Sequence, residues 1–154
     1  MSSEKFDQLI REFCEAVQID DVVSVLESGS VSVNDVAFSI FPSEDEDGGV
    51  AGALVYCDFG PLPSGDSVAV LRRLLEVNLF LTSAPLSCSF AINPESGHVL
   101  LAFRSPLDGA GAESLATSLQ LCAEEAERWR ESHFLEDGPE PARPRVPGHG
   151  PMLV

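Results

Sequence analysis

The hydrophobic period of this chain changes once near its start, and that change limits the folds open to it. From Ser3 to Gln18, the residues Phe6, Leu9, Ile10, Phe13 and Val17 recur at helical spacing and form one apolar stripe. Glu4, Asp7, Arg11, Glu12 and Glu15 take the other face, with Glu4 and Asp7 suited to the positive end of a helix. Asp20-Asp21 breaks the pattern, and from Val22 to Phe59 the period is two. Val31 and Val33 alternate with Ser30 and Ser32; Val36, Phe38 and Ile40 alternate with Ala37 and Ser39. Asn34-Asp35 between these runs signals a tight hairpin turn. Pro42 to Gly49 reads as a polar loop, and Val50 to Phe59 as a third strand, continuously apolar and therefore central.

The second half repeats the alternation of helix and hairpin. Asp66 is placed to cap a helix through Leu81 that carries Val68, Leu71, Leu74, Leu75, Val77 and Leu79. Its apolar residues spread over more than one stripe, which predicts a second contact besides the sheet. Leu86, Cys88, Phe90 and Ile92 then alternate, residues 93–97 turn with Gly97 in a left-handed conformation, and His98 to Arg104 returns. Ala112 to His133 is a third helix with Leu115, Leu119, Cys122, Ala126 and Trp129 on its apolar face. The order α-βββ-α-ββ-α with short turns predicts an α+β fold: a twisted, mainly antiparallel sheet flanked by helices. Residues 1–135 are expected to form one domain, and the Pro- and Gly-rich residues 136–154 an extended, mobile tail.

Charge narrows the partners. The 154 residues carry 25 acidic side chains against nine Lys and Arg, a formal charge of −16. Such a surface repels phosphate, so nucleic acid and anionic membrane are poor partners; a basic protein segment suits it, though acidity also serves solubility alone. No apolar run approaches the roughly 20 residues that span a bilayer, and the first residues lack the pattern of a signal peptide. The expectation is a cytoplasmic protein without membrane insertion, whose separated Cys14, Cys57, Cys88 and Cys122 are reduced and buried.

Motifs for chemistry are weak. Asp45, Asp47 and Gly48 match the middle of a calcium loop, but Ser43 and Leu54 stand where its end carboxylates belong. Gly109-Ala-Gly111 begins a dinucleotide fingerprint without the third glycine or a following βαβ unit. His98, His133 and His149 are too far apart for a linear zinc motif. A Cys57–His98 nucleophile pair is the one enzymatic alternative, with no third group to orient it. The expectation is therefore a protein that is not an enzyme and needs no cofactor or metal.

Four segments carry a resemblance when taken in order: LRRLLEVNLF from Leu71 to Phe80, the turn Pro94 to Gly97, VLLAFRSPLD from Val99 to Asp108, and AERW from Ala126 to Trp129. Together they resemble the Tir chaperone (CesT-like) family, the class I chaperones of bacterial type III secretion, over about residues 1–134. The resemblance implies an acidic homodimer in the cytoplasm of a Gram-negative bacterium. Such a chaperone holds the N-terminal segment of one or more effectors non-globular and delivers it to the export apparatus, where the secretion ATPase is a further candidate partner. A regulatory adaptor of the same fold is the alternative function. The over-apolar second helix offers a dimer interface of Val68, Leu71, Leu74, Leu75, Asn78 and Leu79, with an intrachain hydrogen bond as the other role open to Asn78. The effector site is expected to join the first helix to the first hairpin. Its client-facing residues are drawn from Phe6, Leu9, Ile10, Phe13, Val31, Val33, Val36, Phe38 and Ile40, the remainder filling the core.

Overall fold

A computed structural model describes residues 3–83, 88–107 and 111–135. Helix α1 spans Ser3–Ala16 and buries Phe6, Leu9, Ile10 and Phe13, the stripe that the spacing predicts. The period-two reading then begins too early, because Val22–Ser28 is a short helix, α2. Asp21 caps it by accepting the Ser24 N–H at 3.1 Å, and Gly29, at φ 73°, closes it with its N–H on the Val25 carbonyl. Val22, Val25 and Leu26 thus share one face against the core, a helical spacing hidden inside a β-branched run.

Five strands follow: β1 (Ser30–Val33), β2 (Val36–Glu44), β3 (Val50–Pro61), β4 (Cys88–Ile92) and β5 (His98–Pro106). They form one antiparallel sheet in the order β1-β2-β3-β5-β4, so β3 is central as its continuous apolarity predicts. Asn34 and Asp35, at φ 52° and 65°, make the two-residue turn between β1 and β2. β2 runs to Glu44 and past Pro42, where the sequence suggests a loop. Its pairing with β1 ends at Ser39, so the N–H that Pro42 lacks would face a side with no neighbouring strand.

Helix α4 (Gly111–Ser132) lies with α1 on one face of the sheet. Leu115, Leu119, Cys122, Ala126 and Trp129 are all buried there against Val36, Phe38, Ile40, Val55, Phe59, Val99 and Phe103. Arg130 fastens the end of α4 to an irregularity in β3, donating Nε to the Phe59 carbonyl at 2.9 Å and Nη2 to the Asp58 carbonyl at 3.0 Å. His133 and Phe134 then turn the chain with positive φ, and Phe134 packs edge-on to Phe90 of β4. Helix α3 (Ser67–Leu81) sits beside β4 at the sheet edge; Asp66 precedes it, but its side chain makes no capping hydrogen bond. The strand residue Leu86, the lead-in 108–110 and the expected tail 136–154 lie outside the described residues.

Candidate functional site

Registers separate the sheet into two faces. Phe38, Cys57, Leu101 and Phe90 lie in one cross-strand row toward the helices, and Ile40, Val55, Phe103 and Cys88 lie in the next. The pool expected to hold the effector falls on this covered side. Phe6, Leu9, Ile10, Phe13, Val31, Val36, Phe38 and Ile40 are buried and only Val33 is half-exposed. Within the single chain the stripe therefore serves the core, where α1 packs against α4 and the sheet. Each of the larger side chains contributes about 1.5–3 kcal/mol by that burial.

Among the described residues, the opposite face is where apolar surface stays outside the core. Phe41, Leu54 and Arg104 form one row; Ser39, Tyr56, Ala102 and Ser89 form the next; Asp58, Leu100 and Ala91 form the third. Phe41 is 43% exposed and meets Tyr56 edge-on, with ring centroids 6.3 Å apart. Leu54, Tyr56 and Leu100 are half-buried and stand outside the core cluster. The rim is polar: His98 Nδ1 lies 3.0 Å from Asp58 Oδ1, and Arg104 is exposed. The signal for this face was present in β3, where Leu54 and Tyr56 interrupt what would be a polar alternation in a strand covered on one side.

Helix α3 divides the expected dimer residues in two. Val68, Leu75 and Leu79 are exposed, at 78%, 70% and 52%, and Leu71 is half-buried. Leu74 is instead buried in the protomer's own core. Asn78 is committed to β4: its Nδ2 donates to the Phe90 carbonyl at 3.2 Å and its Oδ1 accepts the Phe90 N–H at 2.7 Å. The intrachain role of that amide is therefore the one seen. Leu71, Leu75, Asn78, Phe90, Ala91 and Ile92 line a shallow apolar groove between helix and strand.

The nucleophile pair does not assemble. Cys57 points into the core, where its Sγ approaches the Cys122 carbonyl at 3.9 Å, while His98 pairs with Asp58 on the other face. Burial pushes the Cys57 thiol far above its ordinary range, with the neighbouring Cys122 adding to the shift. Burial likewise raises Cys122, to about 12, with Cys88 and Glu125 contributing, and it raises Cys14 and Cys88. Thiols so placed stay protonated near neutral pH and are poor nucleophiles. Asp45, the heart of the calcium-like loop, spends Oδ1 on the N–H groups of Asp47 and Gly49. Among the described residues no three His, Cys, Asp or Glu are grouped to hold a metal, and no helix is long and apolar enough to cross a membrane.

One sheet face sealed by helices, one left apolar, and an exposed helical row at the edge define an α+β protein whose uncommitted surface suits contact with other polypeptides. The family model for the Tir chaperone protein (CesT) family matches residues 8–130. The chain belongs to that family, whose members are type III secretion chaperones that bind effectors. A search of the curated proteins gives no match.

Proposed function

We propose that this protein is a homodimeric type III secretion chaperone that binds the N-terminal chaperone-binding segment of one or more effectors. It keeps that segment non-globular in the cytoplasm and presents it to the export apparatus. The observation that carries this reading is apolar surface left over after the core is complete. Val68, Leu75 and Leu79 remain exposed on α3, and Phe41 on the open sheet face, in a chain of the CesT family.

The two surfaces suit different partners. A helical row flanked by the apolar groove fits an identical row from a second copy, since a two-fold contact uses one patch twice. The open sheet face, with Phe41, Leu54, Tyr56 and Leu100 exposed or half-buried, suits an extended effector segment whose alternate side chains settle on it. The charge of −16 attracts a basic segment and speeds its arrival.

Co-expression with an effector encoded beside this gene should give a complex that co-purifies. Leu75→Glu should yield a folded monomer by light scattering, and Phe41→Asp should weaken effector binding without changing the dimer. Effector solubility and secretion that are unchanged when the gene is deleted would refute the chaperone reading. A Leu75→Glu protein that stays dimeric would move the interface off α3.

A further inference from the structure

Among the described residues the outer strands β1 and β4 each have a neighbouring strand on one side only, and side chains treat the two edges differently. Along an antiparallel strand, alternate residues turn both N–H and C=O toward the neighbouring strand, and the residues between them turn outward. β4 has β5 on one side only, and Phe90 turns its backbone to the other side, where both groups bond the amide of Asn78. One donor and one acceptor from the side chain thus stand where a residue of an added strand would place its own. We propose that Asn78 is a strand surrogate that closes the β4 edge to the β4 strand of a second copy, so that copies cannot merge their sheets there.

Placement makes the block effective. Cys88, Phe90 and Ile92 are the outward residues of this five-residue strand, and Phe90 is the middle one. With Phe90 occupied, no two successive outward residues of the described strand are free, and an incoming strand cannot form consecutive pairs of hydrogen bonds along Cys88–Ile92. An edge of this kind needs protection, because Ile92 is 40% exposed and an apolar free edge is a template for association. At the opposite edge the outward Ser30 N–H is met by Ser28 Oγ at 3.1 Å, while among the described residues no side chain closes Ser32 in that way. The amide is not the sole anchor of α3, since Val70 and Leu74 of that helix are buried as well. The inference rests on the proposed dimer only in predicting that contact between copies runs through α3 side chains.

The test uses the full chain, with Asn78→Ala compared against wild type by residue-resolved amide hydrogen exchange and by light scattering across protein concentration. In the variant, the Phe90 amide should exchange roughly tenfold faster or more, while Ser89 and Ala91, bonded into the β5 ladder, keep their rates. Its mass should rise with concentration beyond that of wild type, and adding Ile92→Lys, a charge on the exposed edge, should reverse that rise. Faster exchange without any change in mass would overturn the inference and leave Asn78 as a docking contact for α3. Unchanged exchange would overturn it as well. Should Asn78→Ala fail to fold, wild type alone decides: Phe90 must exchange at least about tenfold more slowly than the outward Ile92, and equal rates refute the closure. A wild type that is monomeric at every concentration refutes the proposed dimer but not this inference, which the variant's exchange and mass still decide.

Discussion

Phe38 and Phe41 sit three residues apart on β2 and face opposite sides of the sheet, so truncating each to alanine separates the core from the proposed client surface. Phe38 is 2% exposed, opposite Cys57 on one side and Val31 on the other. Removing its ring opens a cavity under α1 and α4, and such truncations cost about 3–5 kcal/mol. That is a large part of the roughly 5–15 kcal/mol that holds a domain together. Phe41 keeps 43% of its surface in water, so Phe41→Ala should cost about 1 kcal/mol, including its edge-on contact with Tyr56. Urea unfolding followed by circular dichroism measures both, at one fixed protein concentration because the stability of the proposed dimer would depend on it. Calorimetric titration with the effector segment measures binding. Phe38→Ala should lose most of its stability, while Phe41→Ala should unfold near wild type and bind the segment about tenfold more weakly, the loss of about 1.4 kcal/mol. A Phe38→Ala loss below about 1 kcal/mol would refute the assignment of that face to the core. Equal losses from the two variants would show that the outer face is covered.

Three further outcomes are expected. Burial lifts the Cys122 thiol from 9.0 to about 12, so above pH 9 the unfolded chain ionises there while the folded one does not. Its contribution is intact below pH 9 and fades toward pH 12. Wild type should therefore lose about 1.4 kcal/mol more per pH unit above 9 than Cys122→Ala, and parallel unfolding profiles would refute it. Gly52→Ala should destabilise by about 1–3 kcal/mol, because its Cβ would stand 2.5 Å from the Ser105 carbonyl oxygen in the adjoining strand; an unshifted urea midpoint would contradict this. Asp35→Gly should stabilise by up to about 1 kcal/mol, since Asp35 holds φ 65° in the two-residue turn; a lower melting temperature would contradict that.

Element type was legible wherever a period persisted. The stripes of α1 and α4 and the alternation of β1 and β2 are long enough to declare both the element and its inward face. α2 escaped because seven residues rich in valine show only one turn of helical spacing; its signals were the flanking Asp21 and Gly29. The end of β2 escaped because proline reads as a breaker unless the length of the neighbouring strand is known. Site residues were harder for a physical reason. A stripe such as Phe6 to Phe13 looks the same whether it faces a core or a client, and only three-dimensional packing decides which. Asn78 was conspicuous on an apolar helix, yet its partner Phe90 lies twelve residues away on an element whose docking no local pattern specifies.

The strand order also carries a consequence for how the chain reaches this shape. β1, β2 and β3 are joined by short turns and can pair as soon as they are made, but the second edge of β3 waits for β5, which arrives only after α3 and β4. α4, which seals the core, comes later still. During synthesis the central strand therefore spends an interval with one side unpaired and its inner face without α4, and closure of the β3–β5 ladder is a long-range step of the kind that slows folding. The chain therefore completes its own core only once its last helix has emerged.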